Sequence, residues 1–165
     1  MGTAKQTAAL PSPDKGEFHM NQKELEKALA PWIVAETKEI RLEGTTVFSY
    51  EVILHDEWRC KLTLGIRREC MLIVIACPNA VQAKSIPVLL PAINQLNLDM
   101  AEGCVEIEEV SRRIQYRSCL IKTSVDPGLK ELQYFLVNAF ENAYICFSYL
   151  EAVLKNTGTS DEGIC

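Results

Sequence analysis

From Leu129 to Leu154 the chain places an apolar side chain at every third or fourth position without a break: Leu129, Leu132, Leu136, Ala139, Ala143, Phe147, Leu150 and Leu154. That is the period of one face of an α-helix, sustained for about seven turns. Asp126 is an N-cap for it, Pro127 suits the first helical position, and Gly128 is tolerated there. Gly158 lies just past its end. Burying each of the larger residues of the stripe is worth about 1.5–3 kcal/mol. The remainder of the chain must therefore supply a long apolar surface for this helix to lie on.

Strands supply it. Phe48, Tyr50, Val52 and Leu54 alternate onto one face, and His55-Asp56-Glu57 makes a turn. Trp58, Cys60, Leu62, Leu64 and Ile66 follow on one face, with Arg59, Lys61 and Thr63 on the other. Such alternation marks an antiparallel strand with one wet side. After a turn at Arg67-Arg68-Glu69, Cys70 to Cys77 is apolar on both faces, with Leu72, Val74 and Ala76 on one and Met71, Ile73 and Ile75 on the other. A second hairpin runs through Val105 and Ile107, turns at Ser111-Arg112, and returns through Ile114, Tyr116 and Leu120.

Two further helices frame these strands. Asn21 with Glu24 is close to a capping box, and Leu25, Ala28, Leu29, Trp32 and Ile33 recur at helical spacing, broken or kinked at Pro31. Ser85 and Pro87 open another helix through Leu89, Leu90, Ile93, Leu96 and Asn97, with Pro91 removing one backbone bond. The predicted order is αβββαββα: an α+β fold, with helices on one side of an antiparallel sheet of about five strands.

A chain of 165 residues is one domain long. Residues 1–20, rich in Ala, Thr, Pro, Gly and Lys, are expected to be a disordered arm, residues 21–156 a single domain, and residues 157–165 a second disordered tail. The net charge of −5 and pI near 5.1 repel phosphate backbones, so no nucleic-acid partner is expected. The basic doublets Arg67-Arg68 and Arg112-Arg113 fall in turns. No apolar run approaches a membrane span, the N-terminus lacks a signal-like core, and Gln6 spoils a myristoylation motif. The expected compartment is cytoplasmic, or the plastid stroma. Cys60, Cys70, Cys77, Cys104, Cys119 and Cys146 fall in predicted strands or the last helix without a CxxC pair, and are expected as small buried hydrophobes. Cys165 is the thiol expected to be exposed.

Chemistry finds little support in the residues. His19 lies in the arm, and His55, beside Asp56 and Glu57, is expected to be a solvated turn residue rather than a base. Glu106, Glu108 and Glu109 surround one strand as an acidic wet face, not as the paired acids of a glycosidase. The glycines form no phosphate-cradling loop, and no metal-ligand spacing occurs, so no cofactor, metal or catalytic residue is expected. Binding of another protein is better supported. Val47, Ile53, Met71, Ile73, Ile75 and Ile121 are expected to point opposite to the helix-packed residues, where they either leave an apolar open face or, if a helix covers that face too, are core. The last helix adds a second surface, with Val137, Phe140 and Tyr144 beside the main stripe and Tyr134, Ile145 and Tyr149 beyond it. A partner's apolar peptide would lie on one of these. The alternative is a small apolar ligand held between the last helix and the sheet.

Three segments also carry a family likeness. Pro87 followed by Asn94-Gln95-Leu96-Asn97, the Val105 to Leu120 hairpin with Ile114-Gln115-Tyr116-Arg117, and the closing helix through Tyr144, Tyr149, Val153 and Leu154 up to Gly158 resemble the YbjN family, of the type III secretion chaperone-like fold. The likeness spans residues 21–158, and the composition is similar to cyanobacterial or plastid members. Pro91 and the aromatic content of the last helix depart from the family pattern. The resemblance implies a non-enzymatic, chaperone-like or regulatory adaptor or assembly factor, often a homodimer, with no catalytic residue or cofactor to assign.

Overall fold

The computed structural model describes residues 22–35, 39–42, 45–55, 58–67, 69–121, 128–158 and 163–164. In chain order the elements are α1 (Gln22–Leu29), β1 (Ile33–Ala35), β2 (Glu39–Leu42), β3 (Thr45–Leu54), β4 (Trp58–Arg67), β5 (Cys70–Ala80), a 3-10 turn at Ala83–Ser85, α2 (Ile86–Asp99), β6 (Cys104–Ile107), β7 (Arg113–Ile121) and α3 (Leu129–Thr157). The expected order is present, with two short additional strands. The break expected at Pro31 is present: the helix stops at Leu29, and Trp32 and Ile33, which continue its spacing, lie beyond it. Pro31 has no N–H to continue the ladder, and the chain turns there so that Ile33–Ala35 pairs with β3. Helical spacing and a one-turn break followed by a strand place the same two residues on the core, which is why the pattern misleads.

All pairings are antiparallel, in the order β1-β3-β4-β5-β7-β6, with β2 also pairing β3. Register decides which face is covered. Phe48 lies opposite Leu64 and Tyr50 opposite Leu62; Leu62 and Leu64 lie opposite Ile75 and Ile73, and Ile66 opposite Met71. These residues form one buried surface. Met71, Ile73 and Ile75, expected on the open side, are all 0% exposed and face the helices, whereas Leu72, Val74 and Ala76 take the open face and are half-buried. The expected apolar binding face on these three residues is therefore core. The alternation of β5 is ambiguous because both faces are apolar; its phase is fixed by pairing with β4, whose wet face is legible.

Along the covered face lies α3, 29 residues long and so about 43 Å from end to end. The stripe from Leu132 to Leu154 is buried as expected, while Leu129 at the helix start is exposed. Phe135, Phe140 and Cys146 are buried beside it, flanked by α1 and α2. Gly128 holds the N-cap position, its N–H donating to the Glu131 carboxylate at 3.1 Å; Asp126 and Pro127 lie outside the described residues. Gly158 ends the helix in the left-handed conformation, φ 63, which glycine adopts without a Cβ penalty. Beyond it, Ile164 is buried and the Asn79 side chain donates to the Gly163 carbonyl at 3.1 Å. That part of the expected disordered tail is packed against the end of β5.

The cysteines divide. Cys60, Cys77 and Cys146 are buried, but Cys70 and Cys104 are half-buried and Cys119 is exposed on the open face. Cys77 is disulfide-bonded rather than a free thiol; Cys165 lies outside the described residues. Asn97 near the end of α2 ties that helix to β6, donating to the Val105 carbonyl at 2.9 Å and accepting from the Val105 N–H at 2.7 Å.

Because Ile73 fills the centre of this surface, Ile73→Ala is expected to cost about 2–5 kcal/mol, read as a lowered urea midpoint with an unchanged native circular dichroism spectrum. A second test is alkaline. Burial pushes the Cys60 thiol from its ordinary 9.0 to about 12 and that of Cys146 to about 11. Above pH 9 the unfolded chain releases these protons and the folded one does not, so stability falls as pH rises from 9 toward 11–12. Cys60→Ala should flatten that decline in urea titrations across the same range, whatever its effect at pH 7.

Candidate functional site

β6 is four residues long and stops at Cys104, opposite Arg117. β7 continues four residues further, and Ser118 to Ile121 pair with β5 alone. Val105 turns both its backbone groups outward to Asn97, so the facing pair of Val105 and Tyr116 is a non-hydrogen-bonded one. Alternation along β7 then directs the backbone groups of Cys119 and Ile121 toward the side that β6 has vacated. Among the described residues, no strand takes them up.

The first turns of α3 stand over this strand end, leaving a groove of about 830 Å³. Leu72 from β5, Ile121 from β7, and Tyr134 and Phe135 from α3 supply its apolar wall; Arg117 and Lys130 are its cations. Ile121 is 72% exposed and Tyr134 71%, although neither side chain is of a kind that favours water. Both were accessible to sequence reasoning as residues outside the main core pattern. Leu72 was not, because the phase of β5 was inverted.

Glu106, Gln115 and Arg117 make a polar network on the open face beside the groove. Arg117 donates to both Glu106 carboxylate oxygens, at 2.9 and 3.2 Å, and Gln115 donates to the same carboxylate at 2.6 Å. Glu106 is thereby an ion-pair partner. Glu108 is not on the strand: it opens the β6–β7 turn, where its carboxylate accepts from the backbone N–H groups of Val110 and Ser111. Bonds to Ser111 and Val110 hold it below the usual carboxylate range. The two acids serve separate structural duties.

The remaining expected binding residues lie elsewhere. Phe140 is buried, its ring stacked on Trp32 at 4.7 Å. Tyr144 stacks on His55 at 3.8 Å and lies 5.3 Å from Trp58. His55, expected as a merely solvated turn residue, sits in the left-handed region at φ 47, and its Nε2 is 3.4 Å from the Glu141 carboxylate. The β3–β4 turn is thus fastened to the middle of α3. Ile53 is half-buried on the open face, its N–H bonded to the Trp32 carbonyl. Val137 and Tyr149, 40% and 44% exposed, lie on the outward side of α3. These residues do not converge on one site.

Gly103 closes the inner end of the groove. Its φ is 78, and a Cβ there would overlap the Tyr116 hydroxyl and approach the Arg117 carbonyl at 2.8 Å. Tyr116 is buried, donating to the Glu102 carbonyl and accepting from Asn142. Gly103→Ala should therefore lower the melting temperature measurably and loosen Tyr116, seen as increased near-ultraviolet dichroism change and tyrosine emission, whereas Gly128→Ala, with open space around it, should not disturb Tyr116.

Among the described residues no group of three or more His, Cys, Asp or Glu side chains is placed to hold a metal ion, and no helix is long and apolar enough to cross a membrane. No family model matches the sequence. No curated protein matches it either. The fold is similar to the crystal structure of YbjN from E. coli, a candidate transcription regulator, with a TM-score of 0.53 at 9% identity, covering 83% of this chain and 94% of that one. The chain is an α+β protein with the fold of YbjN.

Proposed function

We propose that this chain is a non-enzymatic adaptor that captures an extended, apolar segment of a partner protein in the groove between the free end of β7 and the start of α3. The observation that carries the reading is the backbone of Cys119 and Ile121, directed toward an 830 Å³ groove where, among the described residues, no strand lies beside it. An extended peptide satisfies such groups by adding a strand, and pockets for alternate side chains then give selectivity. Ile121 and Tyr134 would contact the apolar side chains of the segment, and burying them removes two large exposed hydrophobic surfaces from water. The type III secretion chaperone-like likeness of the sequence is consistent with this role. Regulation of transcription, the candidate role of the E. coli neighbour, would proceed here through protein contact, given the net charge of −5.

A second reading rests on the size of the same groove, which falls within the roughly 300–1,000 Å³ of small-molecule sites. It is a regulatory domain holding a small apolar ligand. The outward residues of α3, including Val137 and Tyr149, would then remain for a second copy of the chain.

The two readings separate in one experiment. Random peptides displayed on phage are selected on the wild-type protein and counter-selected on Ile121→Asp and Tyr134→Asp. Adaptor function predicts enriched peptides with apolar residues at alternate positions, loss of at least tenfold in affinity in either variant, and unchanged melting temperatures. Peptides retained equally by the variants, or none enriched, would sink it. A small molecule seen by native mass spectrometry on the wild type and lost from Ile121→Asp would transfer the groove to the second reading.

A further inference from the structure

On the open face of the sheet two thiols meet. β5 and β7 pair with Cys70 opposite Ile121 and Leu72 opposite Cys119, so Cys70 and Cys119 share a face and stand diagonal to each other. Both are free thiols, Cys119 exposed and Cys70 half-buried. The two thiols are close enough for Cys70 to influence the Cys119 proton. Desolvation, and then the neighbouring Cys70, hold the Cys119 thiol above its usual range.

Two outcomes compete for such a pair: a bond between the sulfurs, or an atom between them. Diagonal positions on neighbouring antiparallel strands are separated by roughly 7–8 Å at the backbone. A disulfide needs Cα atoms within about 7 Å, so direct bonding strains the sheet. Two metal–sulfur bonds of about 2.3 Å each span roughly 4.6 Å when collinear. Two thiols at diagonal positions of one face can reach that separation by rotation about χ1, with the strands left in place. Thiolates select soft metals. A tetrahedral zinc site is not available, since among the described residues no third His, Cys, Asp or Glu joins the pair.

We propose that Cys70 and Cys119 form a two-coordinate site for a soft monovalent cation of the copper(I) class. Binding converts two thiols and one cation to a bis-thiolate complex of net charge −1, and both protons leave to solvent. No electron is transferred. The site is independent of peptide capture, although Cys119 also lines the groove.

The test is a competition on the full, reduced chain. Copper(I) is supplied as its bicinchoninate complex, and metal taken by the protein is read as loss of that complex's colour. One copper(I) per monomeric chain is expected, with Cys70→Ser and Cys119→Ser each weakening retention at least 100-fold. Cys104→Ser, on the neighbouring strand of the same face, should retain the metal as wild type does. Melting curves confirm that the serine variants are folded. Retention unchanged in either single variant, wild-type retention no better than theirs, or one ion bridging two chains by light scattering would each overturn the proposal.

Discussion

Everything in this molecule is arranged around the contact between α3 and the covered face of the sheet. Leu132, Leu136, Ala143, Phe147 and Leu150 on the helix, and Leu62, Leu64, Ile73 and Ile75 on the central strands, are each 0% exposed. A sheet with one apolar face and a helix with one apolar stripe each have nowhere else to place that surface. Small residues within the stripe, Ala139 and Ala143, let the helix backbone approach the strands closely. α1 and α2 then shield its flanks, and the aromatic pairs Trp32–Phe140 and His55–Tyr144 lock the β3–β4 side of the sheet to the helix midpoint.

The groove follows from a mismatch of lengths within that arrangement. β7 spans nine residues and β6 only four, so one end of β7 outruns its neighbour. At that same end α3 is beginning, and its first turns rise over the strand where β6 offers no further paired position. The apolar residues there, Ile121 and Tyr134, are the ones for which the core has no room. A site that keeps large hydrophobic side chains in water has a ready source of binding free energy, because its cost is already present in the unliganded protein.

Much of this was legible in the residues. The stripe of α3, the alternation of β3 and β4, and the glycine after α3 each obey a single periodic rule, and each held. The same reading failed where two rules gave one pattern. In β5 both phases are apolar, so no local signal distinguishes Ile73 from Val74, and the answer lies in pairing with β4. Around Pro31 the break was legible, but not the short strand that follows it, because Trp32 in the turn and Ile33 on the strand continue the helical period. The groove was harder still: it depends on where β6 ends relative to β7, a difference between two distant segments that no single stretch of sequence records. His55 looked like an ordinary turn residue because Tyr144 and Glu141, which hold it, are far away along the chain.

The bond pair between Asn97 and Val105 has a consequence for how these molecules meet one another. β6 is a border of the sheet, and a bare border invites another chain to continue the ladder. Asn97 offers Val105 one donor and one acceptor, at 2.9 and 2.7 Å, which is what a neighbouring peptide unit would offer. A helix side chain thus imitates the next strand and closes the border at its midpoint. Strand addition is thereby opposed at the middle of β6, whereas the end of β7 that outruns β6 is not guarded by Asn97.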